Sequence, residues 1–75
     1  MKKLDLRGLK CPLPVLKTRK MLAALAPGDR LEVACTDPLS AIDLPHLLNE
    51  TGDLLEGRSE AEGALVFHIR KREAS

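Results

Sequence analysis

Tryptophan and tyrosine are missing from this chain, and Phe67 is its whole aromatic content. That scarcity weighs against single-strand nucleic-acid binding, which uses aromatic faces as stacking platforms. It also leaves the core to leucine, valine and isoleucine. Long apolar runs are absent as well: nothing approaches the roughly 18 consecutive residues that a membrane span requires. The two cysteines, Cys11 and Cys35, stand 24 positions apart. Without a CxxC spacing they write neither a dithiol redox pair nor a zinc knuckle, and two thiols do not make a disulfide framework. His46 and His68 complete the short inventory of soft donors. No pair among these four residues has ligand spacing, so neither a metal nor another cofactor is expected.

What is present fits one small domain, residues 1–75. A chain of this size buries only about 60% of the surface its unfolded form exposes, so the core is thin. Clefts that enclose a small ligand occupy roughly 300 Å³ or more, and a thin core has no room for one. A carrier or adaptor suits the length better than a self-sufficient enzyme. Met1-Lys2-Lys3 resembles the charged start of a signal peptide, but Asp5, Arg7 and Lys10 interrupt the stretch where its apolar region would lie. The expected compartment is the cytoplasm, whose reducing conditions keep both cysteines as thiols.

Net charge is +1, but it is unevenly distributed: residues 1–20 hold seven basic side chains against Asp5, and residues 21–75 hold five against ten acidic ones. Such a field favours an acidic partner or an anionic group near the N-terminal segment. The cluster of cations surrounds Cys11.

Leu4-Asp5-Leu6 alternates and runs into Gly8, the pattern of a short strand closed by a turn. Val15, Thr18, Leu22 and Leu25 then fall at helical spacing, predicting a helix over about 12–25 that ends at Pro27-Gly28. Leu31, Val33 and Cys35 alternate in a second strand. Asp37-Pro38 is a helix start, predicting a helix over 38–51 with Ala41, Leu44 or Pro45, and Leu48 on its apolar stripe. Pro45 removes one backbone donor and predicts a kink there. Leu54-Leu55 and the alternating Leu65, Phe67 and Ile69 flank a polar stretch over 56–63, which reads as a hairpin. The order is βαβαββ. Right-handed crossovers make the first two strands parallel and set both helices on one face of a mixed four-stranded sheet, an α/β two-layer sandwich. The opposite sheet face carries Ala64, Val66, His68 and Arg70.

With Pro12 at the first helical position, Cys11 becomes the N-cap, facing the unpaired amides of the first turn where the helix dipole is positive. Pro14 has no amide proton, which leaves Leu13 and Val15 as donors. That setting, with Lys10 beside it, lowers a thiol's pKa below its free value of about 8.5 and makes it nucleophilic. Hydrolysis by cysteine would need a histidine within reach, and nothing in the sequence brings His46 or His68 there. The remaining chemistry is one in which sulfur is the cargo: Cys11 attacks a persulfide and passes the terminal sulfur on. The competing reading of Cys11 is a small apolar residue that happens to precede a proline. Haem ligation by a Cys-Pro thiolate is a further use of such a pair, but nothing here supplies a haem pocket.

The run from Leu4 to Val15, with Cys11-Pro12-Leu13-Pro14 at its centre, and Thr18-Arg19-Lys20 resemble the signature of the TusA/SirA-like sulfur-carrier proteins. Gly28-Asp29, Leu31-Glu32-Val33, Thr36-Asp37-Pro38, Asp43-Leu44-Pro45, Thr51-Gly52 and Ile69-Arg70-Lys71 extend the similarity along the chain. The resemblance implies a βαβαββ fold and a persulfide on Cys11. Its donor would be a cysteine desulfurase or rhodanese and its acceptor a downstream sulfur-relay protein, in tRNA thiolation, molybdenum-cofactor synthesis or sulfur oxidation. It also sets Arg19 and Asp37 on the partner-binding face, and Lys10 joins them there by its charge beside Cys11. Two positions depart from the pattern. Asp53 stands where many relatives have histidine, and Cys35 where a small apolar residue is usual. Cys35 is either core, by its alternation with Leu31 and Val33, or a resolving thiol, because parallel strands bring its end of the sheet to the edge of Cys11. The alternative function is a small nucleic-acid-binding module that uses the basic N-terminal patch. The carrier reading expects no direct nucleic-acid contact and no membrane.

Overall fold

The computed structural model describes residues 2–10 and 12–73. Its elements follow the expected order: β1 (Lys2–Leu6), α1 (Leu13–Ala24), β2 (Arg30–Cys35), α2 (Ser40–Thr51), β3 (Leu54–Ala61) and β4 (Ala64–Arg70). The sheet order is β1-β2-β4-β3, with β1 parallel to β2 and the other two pairs antiparallel. This is the predicted mixed four-stranded α/β sandwich.

Alternation places the core. Leu4 pairs with Val33 and Val33 with Phe67, while Leu6 pairs with Cys35 and Cys35 with Leu65, so apolar side chains from three strands form rows on one face. Thr18, Leu22 and Leu25 from the first helical segment and Leu44, Leu47 and Leu48 from α2 close over those rows. The helical stripe is the expected one for α1. On α2 it lies at Leu44, Leu47 and Leu48, with Ala41 and Pro45 only half-buried.

Three boundaries differ from the sequence reading, each for a physical reason. Helix α1 starts at Leu13 with Pro12 as its N-cap, not at Pro12. The amide of Leu13 donates to the Lys10 carbonyl at 2.9 Å, so this part of the chain is still a turn. Helix α2 starts at Ser40, because Ser40 and Ala41 donate to the carbonyls of Asp37 and Pro38, three residues back, before the α-helical ladder begins. Asp37 does accept an early amide, that of Leu39 at 3.0 Å, but in this preceding turn. Helix α2 remains one element across Pro45 and ends at Gly52, which has φ 82°. The third difference is larger. The polar stretch over 56–61 is strand, not loop: β3 runs to Ala61, and only Glu62-Gly63, both at positive φ, form the turn. A bulge between Leu55 and Gly57 shifts the β3 register.

Candidate functional site

Parallel strands send both βα connections out of one edge of the sheet. The β1–α1 connection, residues 7–12, leaves the carboxyl end of β1, and Thr36-Asp37-Pro38-Leu39 leaves the carboxyl end of β2, where Leu6 pairs with Cys35. Two antiparallel steps away, the Glu62-Gly63 turn lies at the same edge. The chemistry-bearing segments of the sequence therefore converge.

Cys11 lies outside the described residues, so its surroundings are given by its neighbours. Lys10 is exposed, and its carbonyl takes the Leu13 amide. That amide, expected from the sequence to serve the thiolate, is thus engaged in a backbone turn, because the helix starts one residue later than expected. Pro12 adopts φ −94° and ψ 9°, and its carbonyl accepts the Leu16 amide at 3.1 Å. Pro14 is buried, which anchors the first turn of α1 in the core.

Asp37 is half-buried in the β2–α2 connection, at the same edge as Lys10. Arg19 is exposed but stands six residues beyond Leu13 on α1, about 9 Å along its axis at 1.5 Å per residue. The edge thus unites Lys10 and Asp37, while Arg19 extends the basic side of α1 with Lys17 and Lys20. No acidic residue occurs in α1.

Cys35 is fully buried and free, and it faces the core beside Leu6 and Leu65. Burial pushes its thiol pKa up; a hydrogen bond with Ser40 opposes this, and the charge of Asp37 adds to it. Of its two readings, this is the core residue. A raised pKa and full burial are the opposite of what a resolving thiol needs. His46 lines a shallow groove of about 250 Å³ between the helices with Pro12, Val15, Asp43, Leu47 and Glu50. Its Nε2 lies 3.3 Å from Glu50 Oε1. Spatially it is nearer the Cys11 segment than the sequence suggested. His68 is on the open sheet face, with Nδ1 3.7 Å from Glu32 Oε1.

Several features were not read from the sequence. Leu13, Leu16, Leu39 and Ile42 are 44%, 53%, 50% and 69% exposed, and all belong to the first halves of the two helices or their entry turns. Helical spacing alone hid them, because leucine and isoleucine are assigned inward by default. Arg7 clamps Asp5 through two side-chain hydrogen bonds of 2.9 Å each. With the Arg7 backbone amide also donating, they hold the Asp5 carboxyl at about 2. Gly8, at φ 84°, donates its amide to Thr36 Oγ1 at 2.8 Å and so ties the two connections together. Among the described residues, no group of three or more His, Cys, Asp or Glu side chains is arranged to hold a metal ion. Nor is any helix long and apolar enough to cross a membrane.

Comparison with known proteins agrees with this arrangement. The family model described as sulfurtransferase TusA matches residues 2–71. The sulfur carrier protein TusA of Allochromatium vinosum is 41% identical over 68 residues, covering 91% of this chain and 90% of that protein. The TusA of Pseudomonas entomophila is 39% identical over 69 residues, covering 92% and 86% of the two chains. Among solved structures, a SirA-like protein from Desulfitobacterium hafniense superposes with a TM-score of 0.85 at 28% identity, covering 97% of this chain and all of that one. A match along nearly the full length, to sequences and to a fold with the same two helices on a four-stranded sheet, leaves one assignment: the chain belongs to the TusA sulfurtransferase family of sulfur carriers.

Proposed function

We propose that this protein is a persulfide carrier that receives sulfane sulfur on Cys11 and hands it to a second protein. The observation that carries the reading is the Cys11-Pro12-Leu13-Pro14 segment, inside a family match that runs from residue 2 to 71. The thiolate of Cys11 attacks the terminal sulfur of a donor persulfide. A new sulfur–sulfur bond forms on Cys11, the donor's breaks, and the donor cysteine leaves as a thiolate that takes up a proton. The acceptor's thiolate then repeats the exchange on the outer sulfur. Neither step changes the overall oxidation level, so no cofactor is required.

The surroundings support transfer between proteins over catalysis on a small substrate. The groove beside Pro12 is open and below the volume that encloses a drug-sized ligand. Leu13, Leu16, Leu39 and Ile42 expose large apolar side chains on the first halves of the two helices and their entry turns, surface of the kind used in protein contact. Lys10 is exposed in the β1–α1 connection, Asp37 orders the β2–α2 connection, and Arg19 continues a cationic flank suited to a partner's carboxylates. The donor is a cysteine desulfurase or rhodanese and the acceptor a downstream relay protein. Exchange takes place in the cytoplasm, where thiols stay reduced. The nucleic-acid alternative loses its remaining platform, because Phe67 is wholly buried.

Intact-protein mass measurement after incubation with a cysteine desulfurase and cysteine tests this, with a rhodanese and thiosulfate as the second donor. Wild type and Cys35→Ala gain one sulfur, and Cys11→Ala gains none. A Cys11→Ala protein that still gains sulfur, or a wild type loaded by neither donor, would overturn the proposal.

A further inference from the structure

The backbone ladder between β1 and β2 ends at the Leu6–Cys35 pair. Beyond it, Leu6 to Leu9 form a turn in which the Leu9 amide donates to the Leu6 carbonyl at 3.2 Å. Gly8 takes the third position at φ 84°, where a side chain would be strained. In such a turn the amide of the third residue points away from the turn's own hydrogen bond and needs another acceptor. Thr36, the residue after Cys35, supplies it: Oγ1 accepts from Gly8 at 2.8 Å, across 28 positions of sequence. The side chain adds one more rung after the main-chain rungs stop.

What this rung holds is specific. Two residues after Gly8 comes Lys10, whose carbonyl accepts the Leu13 amide and joins the connection to α1. One residue after Thr36 comes Asp37, whose carboxylate accepts the Leu39 amide and sets the turn that presents exposed Leu39. Thr36 Oγ1 thus joins these two connections by a side-chain hydrogen bond. Thr36 itself is exposed and belongs to no part of the core.

We infer that Thr36 is a positioning residue: its hydroxyl latches the two edge connections together and so fixes Lys10 and the entry into α1, the residues that flank Cys11 in sequence. The inference rests on the persulfide-carrier reading for its consequence, though not for the latch itself. Held in one arrangement, the segment meets a partner without first losing conformational freedom. The hydroxyl matters as an acceptor, so serine can replace threonine and valine cannot.

The test compares wild type, Thr36→Ser and Thr36→Val. Amide hydrogen exchange at Gly8 by NMR reads the latch, and two rates read its effect: alkylation of Cys11 by iodoacetamide at neutral pH, and sulfur loading by a cysteine desulfurase. Loss of one ordinary hydrogen bond corresponds to about a fivefold change. In Thr36→Val, Gly8 exchange therefore rises, and both alkylation and the loading kcat fall, each by about fivefold. Thr36→Ser restores all three, and urea denaturation verifies that each variant is folded under the assay conditions. Unchanged Gly8 exchange in Thr36→Val would show that no latch exists. Faster exchange with an unaltered alkylation rate would show a latch that positions nothing. If wild type accepts no sulfur from any donor, the carrier reading fails on its own, while exchange and alkylation still decide the role of Thr36.

Discussion

Thr18 shows how a residue can be read correctly for place and incompletely for chemistry. Its spacing with Leu22 and Leu25 predicts burial, and it is wholly buried. No such pattern tells what its hydroxyl meets, and Oγ1 finds no hydrogen-bond partner among the described residues. A buried hydroxyl without a partner costs free energy that a methyl group of similar shape does not. Thr18→Val therefore stabilises the protein by about 1 kcal/mol, seen as a higher urea midpoint at constant m-value. Cys35 is the opposite case: alternation with Leu31 and Val33 identified a core position, and packing agrees. Sequence also singled out Lys10, Arg19 and Asp37, but only the fold separates the two at the edge from Arg19 farther along α1. Thr36 was named in the sequence only within a motif, and its contact with Gly8 was not legible because the two are neighbours only once β1 and β2 are paired.

At the scale of elements, legibility followed burial. Both helices and the first two strands were visible because each has one apolar face with its own period. Strand β3 was not. Glu56, Arg58, Ser59, Glu60 and Ala61 are all exposed, so no hydrophobic period marks them, and their extended form is imposed by pairing with β4. The same features protect the outer edge of the sheet, since a bulge and alternating charges discourage pairing with another chain. The hairpin turn is a two-residue link with both residues at positive φ, an arrangement that favours Asn-Gly. Gly63 suits it, but Glu62 at φ 52° is strained. Replacement Glu62→Asn stabilises the hairpin by about 0.5–1 kcal/mol. Thermal unfolding at neutral pH reports the gain, and an unchanged or lower midpoint would remove the strain argument.

On the scale of the molecule, the ends of the sheet have different tasks. One edge gathers the connections of the candidate site. At the other, Asp53, buried beneath the end of α2, accepts from the Arg72 amide at 2.9 Å and from Thr51 Oγ1 at 2.7 Å. Lys71 closes the same end by exchanging backbone hydrogen bonds with the α1–β2 connection: its amide donates to Asp29, and its carbonyl accepts from Gly28. Asp53, a departure from the histidine that the resemblance gives many relatives, is thus a structural carboxylate at the end of the sheet opposite the candidate site. Asp53→Ala removes the carboxylate that accepts the part-buried Arg72 amide and Thr51 hydroxyl and costs about 1–3 kcal/mol. Chemical denaturation measures that loss. Sulfur loading of the folded variant by the desulfurase remains at the wild-type rate.

The sealing of Cys35 in the core has a consequence for traffic. On the proposed persulfide-carrier reading, a loaded Cys11 has no second accessible thiol in this chain through which the sulfur could leave internally. Release then waits for an encounter with another molecule, and throughput rises with the concentration of the receiver. The carrier works as a courier whose delivery time is set by its destination.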